Sequence, residues 1–369
     1  MQHHPPEKQR TIIYTAKSLV LLSLLFVCCG LIYISGQFMH SPLPEGSLVK
    51  PPLPLTNSND QLAKLPAKTA AWIAPDDSNL PPGEAGDAIR YGRELIANTA
   101  KYFGPQGKIA RLSNGMNCQN CHLQAGTKLF ANNYSVFFAN YPKKGARSGK
   151  TDQVTDRIQD CFQRSLNGTM PDKSSKEIRA MVAYFEWVGQ GVAKGAKLEG
   201  TATEKLPHLD RPANPAKGLL VYRAQCQSCH GANGAGQKAE DQLTYKYPPL
   251  WGKNSYNDGA GMYRLSNFAG FVKNNMPYGI DHNGPVLKDE EAWDVAAYVN
   301  SRPRPHRAQE KDYPDLSRKP IDAPYGPYPD PFSEAQHKYG PYKPIIAYAQ
   351  QDRSQVGDKG STGGRQGGN

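Results

Sequence analysis

The sequence predicts a mostly α-helical protein in which one helical unit occurs twice in tandem. Three observations predict it. Cys118-Gln-Asn-Cys121-His122 has a twin at Cys226-Gln-Ser-Cys229-His230. Apolar residues recur at helical spacing ahead of each motif, at Ala88, Ile89, Leu95 and Ile96 and again at Leu219, Leu220 and Tyr222. A closing helical pattern follows each motif, and Met181-Val-Ala-Tyr184 lines up with Val295-Ala-Ala-Tyr298. Helix, cysteine motif, irregular wrap and closing helix, in that order and twice over, is an internal duplication.

Cys-x-x-Cys-His is the attachment signature of c-type haem. The two sulfurs add to the vinyl groups of the porphyrin, and the adjacent histidine reaches the iron from the proximal side. A single Cys-x-x-Cys is equally a redox dithiol or half of a zinc site. A zinc ribbon, however, brings its second pair close behind the first, and these pairs lie a small domain apart. The expected cofactors are therefore two covalently bound haem c groups with their iron. Each is wrapped by one cytochrome c-like domain.

The formal charge of +11 points to an anionic partner, substrate or membrane surface. Nucleic acid is excluded as a partner, because the chain has neither a basic helix nor a recognisable binding module. Of the 7 cysteines, four are committed to haem, and Cys28 and Cys29 lie in an apolar N-terminal run. Cys161 is the one thiol left in the body of the protein. Haem attachment by this motif takes place outside the bacterial cytoplasm, where an unpaired thiol tends to oxidise and calls for a reason.

Residues 1–40 read as an N-terminal membrane anchor or signal. Lys8, Arg10 and Lys17 precede the apolar stretch Ser18 to Ile34. At a rise of about 1.5 Å per residue, Ile12 to Ile34 is long enough to cross roughly 30 Å of hydrocarbon. No convincing small-x-small cleavage site and no lipobox are present. With the positive flank inside, the rest is exported. A periplasmic protein tethered to the inner membrane by an uncleaved transmembrane helix is expected, the alternative being a cleaved signal peptide and a soluble periplasmic protein.

Residues 41–83 form a Pro-rich linker, with Trp72-Ile-Ala-Pro75 expected to dock on the first domain. The first cytochrome c-like domain occupies 84–195. Its opening helix follows Pro81-Pro82 and ends near Gly104, and its closing helix runs from Glu177 to Val188 with Ser174-Ser175 as caps. Residues 196–214 are a second linker. The second domain, 215–305, has helices at Pro215–Gln225, at Gly261–Asn275 until Pro277 stops it, and at Glu290–Ser301. An irregular C-terminal wrap is expected over 306–349 and a disordered, polar, glycine-rich tail over 350–369.

His122 and His230 are the proximal metal ligands. In the second domain the distal candidate is Met276, just before Pro277 at the end of a helix, where a thioether raises the potential and makes an electron-transfer haem. Lys273, one helical turn away, is a possible alternative ligand, and otherwise a solvated lysine. In the first domain two residues compete. Met170-Pro171 precedes the closing helix, while Cys161 lies in Asp156-Arg157-Ile-Gln-Asp160-Cys161-Phe-Gln-Arg164-Ser165. Cys161 is either an iron ligand or a buried inert thiol. Arg157, Arg164 and Arg147 would favour its thiolate and attract dianions. His208, His282, His306 and His337 read as exposed or loop histidines without a role.

Taken together these motifs resemble the dihaem thiosulfate dehydrogenases, the tetrathionate-forming or tetrathionate-reducing cytochromes c. The resemblance covers roughly Gly86 to Pro344. It is carried by Asn114–Gly126, by Asp156–Gly168, by Tyr247-Pro-Pro-Leu-Trp-Gly252, by Lys273–Pro277 and by Asp312-Tyr-Pro-Asp315. It implies that Cys161 is the catalytic axial ligand of the first haem and that Arg147, Arg157 and Ser165 line the substrate pocket. It also implies that thiosulfate and tetrathionate are the substrate pair, and that electrons pass to an external carrier such as a small cytochrome c or other redox protein. In some members a lysine and a methionine exchange on the second iron, which is what makes Lys273 of interest. The competing expectation is a non-catalytic, membrane-anchored dihaem electron carrier. A further one is a sulfur-oxidising carrier subunit that needs a partner chain.

Overall fold

The computed structural model describes residues 72–361. The expected anchor at 1–40, and the expected linker up to residue 71, fall outside the described residues. Among the described residues, no helix is long and apolar enough to cross a membrane.

The first half opens with α1 (Gly83–Ala97), which starts straight after Pro81-Pro82 and buries Ile89, Leu95 and Ile96 along one stripe. After a break at Asn98, α2 (Thr99–Phe103) stops at Gly104. A two-residue hairpin, β1 (Lys143–Lys144) against β2 (Thr151–Asp152), leads into α3 (Val154–Arg164). That helix is started by a reciprocal Gln153/Asp156 capping box. The half closes with α4 (Lys176–Val188), whose N-cap Ser175 accepts from the Ile178 amide.

The second half repeats the plan. Asn214 caps α5 (Pro215–Gln225), with proline at the first helical position. A small hairpin follows, β3 (Gln237–Lys238) with β4 (Tyr245–Tyr247). Next come α6 (Leu265–Asn275), ended before Pro277, and α7 (Asp289–Asn300), with three acids in its first turn against the helix dipole.

Each half has its own apolar core, one around Leu95, Phe162 and Met181, the other around Tyr222, Leu265 and Trp293. The duplication reaches atomic detail where the first and last helices of each half cross. A Cβ on Gly92 would lie 2.0 Å from the Ala180 carbonyl oxygen and 2.8 Å from Tyr184 Cβ. A Cβ on Gly218 would lie 1.9 Å from the Asp294 carbonyl oxygen and 2.8 Å from Tyr298 Cβ. In both crossings glycine lets the backbones approach, and the tyrosine aligned by the sequence repeat packs over it. Trp72 packs against the first core, as expected.

The halves belong to one compact unit. Asn257 Nδ2 donates to the Gln163 carbonyl (2.8 Å) and to Asn167 Oδ1 (3.0 Å). From the other side Lys128 Nζ donates to the Ile280 carbonyl at 2.7 Å.

The C-terminal part corrects two expectations. Within the supposed wrap and tail lie α8 (Glu334–Tyr339) and the long α9 (Lys343–Ser361). Tyr342 and Ile345 plug into the second core at 3% and 1% exposure. An anchored first turn lets a polar continuation stay helical, which composition alone does not reveal. His337, expected to be exposed, is 1% exposed: its ring lies 3.6 Å from that of Tyr328, with Nδ1 on the Ile321 carbonyl and Nε2 on Asp330.

Candidate functional site

Cys118 opens a tight turn (Cys118–Asn120) that the Asn117 and Asn120 side chains cap. Thr99 on α2 holds the Cys118 amide at 3.0 Å, so the turn is bolted to the opening helices. His122 Nδ1 lies 2.5 Å from the Asn132 carbonyl oxygen, an acceptor. Nδ1 therefore carries the proton, and Nε2 keeps its lone pair. Burial holds the imidazole neutral, its pKa down at about 4 despite the Asn132 bond. Its ring stacks on Tyr134, 4.6 Å between centroids. Gly126, at φ 85°, makes room, since a Cβ there would meet the Tyr134 ring at 2.0 Å.

The second motif sits at the end of α5, where Cys226 passes into the helical turn Gln227–His230. His230 Nδ1 is 2.8 Å from the Pro248 carbonyl oxygen, and burial again depresses its pKa. Both histidines thus present the same tautomer, set by the same kind of backbone acceptor.

Each motif opens on a cavity. Cys118, Cys121 and His122 share the first with Arg157, Cys161 and Ser165, while Cys226, Cys229 and His230 share the second with Met276. Met116, Asn117 and Cys121 line both, so a single layer of residues separates them. The donor set fits haem c. The four motif thiols are free of disulfides. Burial pushes Cys118, Cys121 and Cys226 up to about 12, keeping them as thiols. The remaining lining is mainly aromatic and aliphatic, as a porphyrin face requires.

Helix α3 explains the company that the first motif keeps. Arg157, Cys161 and Ser165 fall four residues apart and so form one stripe, which faces the cavity. Met170, the competing candidate, is 52% exposed and lines neither cavity. For the Cys161 thiol, burial pushes the pKa up; Arg157, Arg147 and Arg164 pull against it without winning. The three arginines favour the thiolate as expected, and desolvation is the larger, opposing effect.

Of the two arginines that the resemblance puts at the pocket, one lines the cavity and the other does not. Arg157 lines the cavity, whereas Arg147 stands behind it, 3.6 Å from Asp160. Asp160 takes Arg157 and Arg164 as well, each at 2.5 Å. Burial raises the Asp160 pKa, but the three guanidinium groups outweigh it and keep the carboxylate charged. Arg164 further pairs with Asp312 of the C-terminal wrap, at 2.7 Å. Asp312 escaped the sequence reading because an ion pair between distant segments leaves no periodic trace, whereas the Asp160 pairs with Arg157 and Arg164 on its own helix stood at helical spacing and were overlooked. The Asp312-Tyr-Pro-Asp315 resemblance was the signal that could have found Asp312.

At the second site, Met276 lines the cavity as expected. Lys273 does not: its ammonium pairs with Asp289 at the start of α7, 2.7 Å away, with the side chain 15% exposed. It is neither a solvated lysine nor turned toward the site.

Residues 215–303 match the cytochrome c family model, so the second half is a cytochrome c domain and the protein a c-type cytochrome by class. The chain is 40% identical over 233 residues to the thiosulfate dehydrogenase of Stutzerimonas stutzeri, covering 63% of this chain and 72% of that one. It is 38% identical over 241 residues to the thiosulfate dehydrogenase of Allochromatium vinosum, covering 64% and 86%. The solved structure of thiosulfate dehydrogenase TsdBA from Marichromatium purpuratum superposes with a TM-score of 0.59 at 30% identity. That match covers 64% of this chain and half the length of the other. The chain belongs to the thiosulfate dehydrogenase family.

Proposed function

We propose that this protein joins two thiosulfate ions into tetrathionate with release of two electrons, or runs the reverse, as a periplasmic dihaem enzyme. In this reading 84–195 and 215–305 are two cytochrome c-like domains, each holding one haem c. His122 and Cys161 would hold the first iron, and His230 and Met276 the second. The observation that carries the proposal is the stripe Arg157, Cys161, Ser165 facing the cavity of the first Cys-x-x-Cys-His motif.

When bound, the haems supply one-electron acceptance and so match a two-electron sulfur bond to one-electron carriers. The chain's own residues do the rest. Two dianions brought within 4–5 Å repel by about 4 kcal/mol for each pair of unit charges at an effective dielectric near 20. Arg157 offsets part of this beside Cys161, and its planar fork suits sulfonate oxygens. The Cys161 sulfur joins the outer sulfur of one thiosulfate with loss of two electrons. The outer sulfur of the second thiosulfate then attacks that sulfur, releasing tetrathionate and the Cys161 thiolate. The Ser165 hydroxyl, which lines the same cavity, would donate to a bound sulfonate.

Electrons leave through the second domain to a small cytochrome c or similar redox protein. Tethering at the inner membrane through residues 1–40 belongs to the same proposal, with a cleaved signal peptide as its alternative. The test is to mix purified holoprotein with thiosulfate and ferricyanide. A dehydrogenase bleaches the acceptor unaided. A simple electron carrier, or a subunit needing a partner chain, leaves it coloured and would sink the proposal.

A further inference from the structure

Two cationic side chains line the first cavity, Arg157 and Lys143, and no carboxylate does. Their circumstances differ. Arg157 has its charge shared with Asp160 at 2.5 Å. Lys143 sits on β1 of the hairpin that leads into α3, paired in register with Asp152. The Asp152 carboxylate is occupied by Ser148 Oγ at 2.7 Å and forms no ion pair with Lys143 among the described residues. The Lys143 ammonium instead lies over the ring of Tyr141, 4.7 Å from its centroid, and Tyr141 also lines the cavity. A cation held by a ring face keeps its hydrogen-bond donors free for an anion.

We infer that Lys143, steadied by Tyr141, is a second anion subsite, which takes the sulfonate of the thiosulfate that is not beside Cys161. The inference rests on the proposed thiosulfate chemistry. Tetrathionate carries a sulfonate at each end, so a cavity with one anchor leaves the other end uncompensated. Arg157 serves the end beside Cys161, and Lys143 serves the end nearer the hairpin. Partial desolvation and the Arg157 charge lower the Lys143 pKa, while the Asp152 charge works the other way. A bound dianion removes the conflict between the two cations.

The test uses holoprotein carrying Lys143→Met or Lys143→Arg, with Lys144→Met as control. Lys144 is the next residue, exposed as Lys143 is but absent from the cavity lining, so it reports general surface charge. Thiosulfate oxidation and tetrathionate reduction are followed over a range of salt, with haem absorbance confirming intact protein. Lys143→Met is expected to raise KM for both ions roughly tenfold with a smaller change in kcat, and to flatten the salt dependence of kcat/KM. Lys143→Arg restores most of the loss, and Lys144→Met stays near wild type. A Lys143→Met KM within about twofold of wild type, or an equal effect of Lys144→Met, would overturn the subsite. Wild-type protein inert toward both ions would overturn the dehydrogenase reading itself, and the subsite with it.

Discussion

Arg164, on the helix that carries Cys161, forks onto both carboxylate oxygens of Asp312, at 2.9 and 2.7 Å, across 148 residues of chain. Tyr325 Oη donates to the same carboxylate at 2.9 Å. The C-terminal wrap thereby clamps the helix that carries Cys161. Both partners are nearly buried, at 8% and 10% side-chain exposure. Removing Asp312 leaves Arg164 with Asp160 alone, and removing Arg164 leaves Asp312 with Arg147 at 3.8 Å. Asp312→Ala is expected to cost about 1–3 kcal/mol in urea unfolding. Arg164→Met combined with Asp312→Ala should cost less than the two single changes added together. Strict additivity would mean the fork carries no coupling.

Cys161→Ala should abolish thiosulfate turnover while covalent haem content survives, because attachment depends on Cys118 and Cys121. Met170→Leu, at an exposed position, should leave both turnover and the visible spectrum unchanged. The two variants are compared by absorbance and by ferricyanide reduction. An active Cys161→Ala protein removes the sulfur-adduct mechanism, and a changed Met170→Leu spectrum reopens the question of the first distal ligand.

Local features of this protein were legible in its sequence, and cross-chain ones were not. Cysteine spacing located both cavities, and apolar periodicity found α1, α4, α5, α6 and α7 to within a few residues. Met276 and Cys161, each of which lines a cavity, were singled out because helix ends and lone thiols carry their own local signature. Arg147 was assigned to the pocket by the resemblance, but which arginine faces inward depends on how the hairpin and α3 are held. Lys143 was passed over, since a lysine in a loop is usually solvated. The Lys273–Asp289 pair and α9 were missed for related reasons. An ion pair between two helices, and a polar helix seeded by buried Tyr342 and Ile345, are fixed by tertiary contacts rather than by local pattern.

The paired glycines give a stability test that addresses each half separately. Alanine at 92 or 218 would put a methyl group within 2.0 Å or 1.9 Å of a carbonyl oxygen on the crossing helix. Backbone cannot yield there as a flexible side chain would, so the helices must part. Each substitution is expected to cost about 1–3 kcal/mol or more, as overpacking does. Thermal unfolding of the holoprotein measures it. If Gly92→Ala is silent while Gly218→Ala is not, the two crossings are not equivalent and the duplication is looser than the packing implies.

Asp322 supplies the pH test away from the haem ligands. Its carboxylate, 3% exposed, accepts from Arg264 Nε at 2.7 Å and from Ser266 Oγ at 2.5 Å. Burial pushes its pKa up, but Arg264 and the Ser266 bonds outweigh burial and hold it below the ordinary 3.8. A carboxyl depressed in the folded state contributes stability that is complete above its unfolded value. That contribution is lost as pH falls from there through the folded value, because only the unfolded chain takes up the proton. Asp322→Asn removes the group, so the stability gap between wild type and variant should be constant above about pH 5 and shrink as pH falls below 3.8. Urea midpoints measured at intervals from neutral pH to pH 3 would display it. A gap that stayed constant across that whole span would show that the Arg264 pairing leaves the Asp322 carboxyl unshifted.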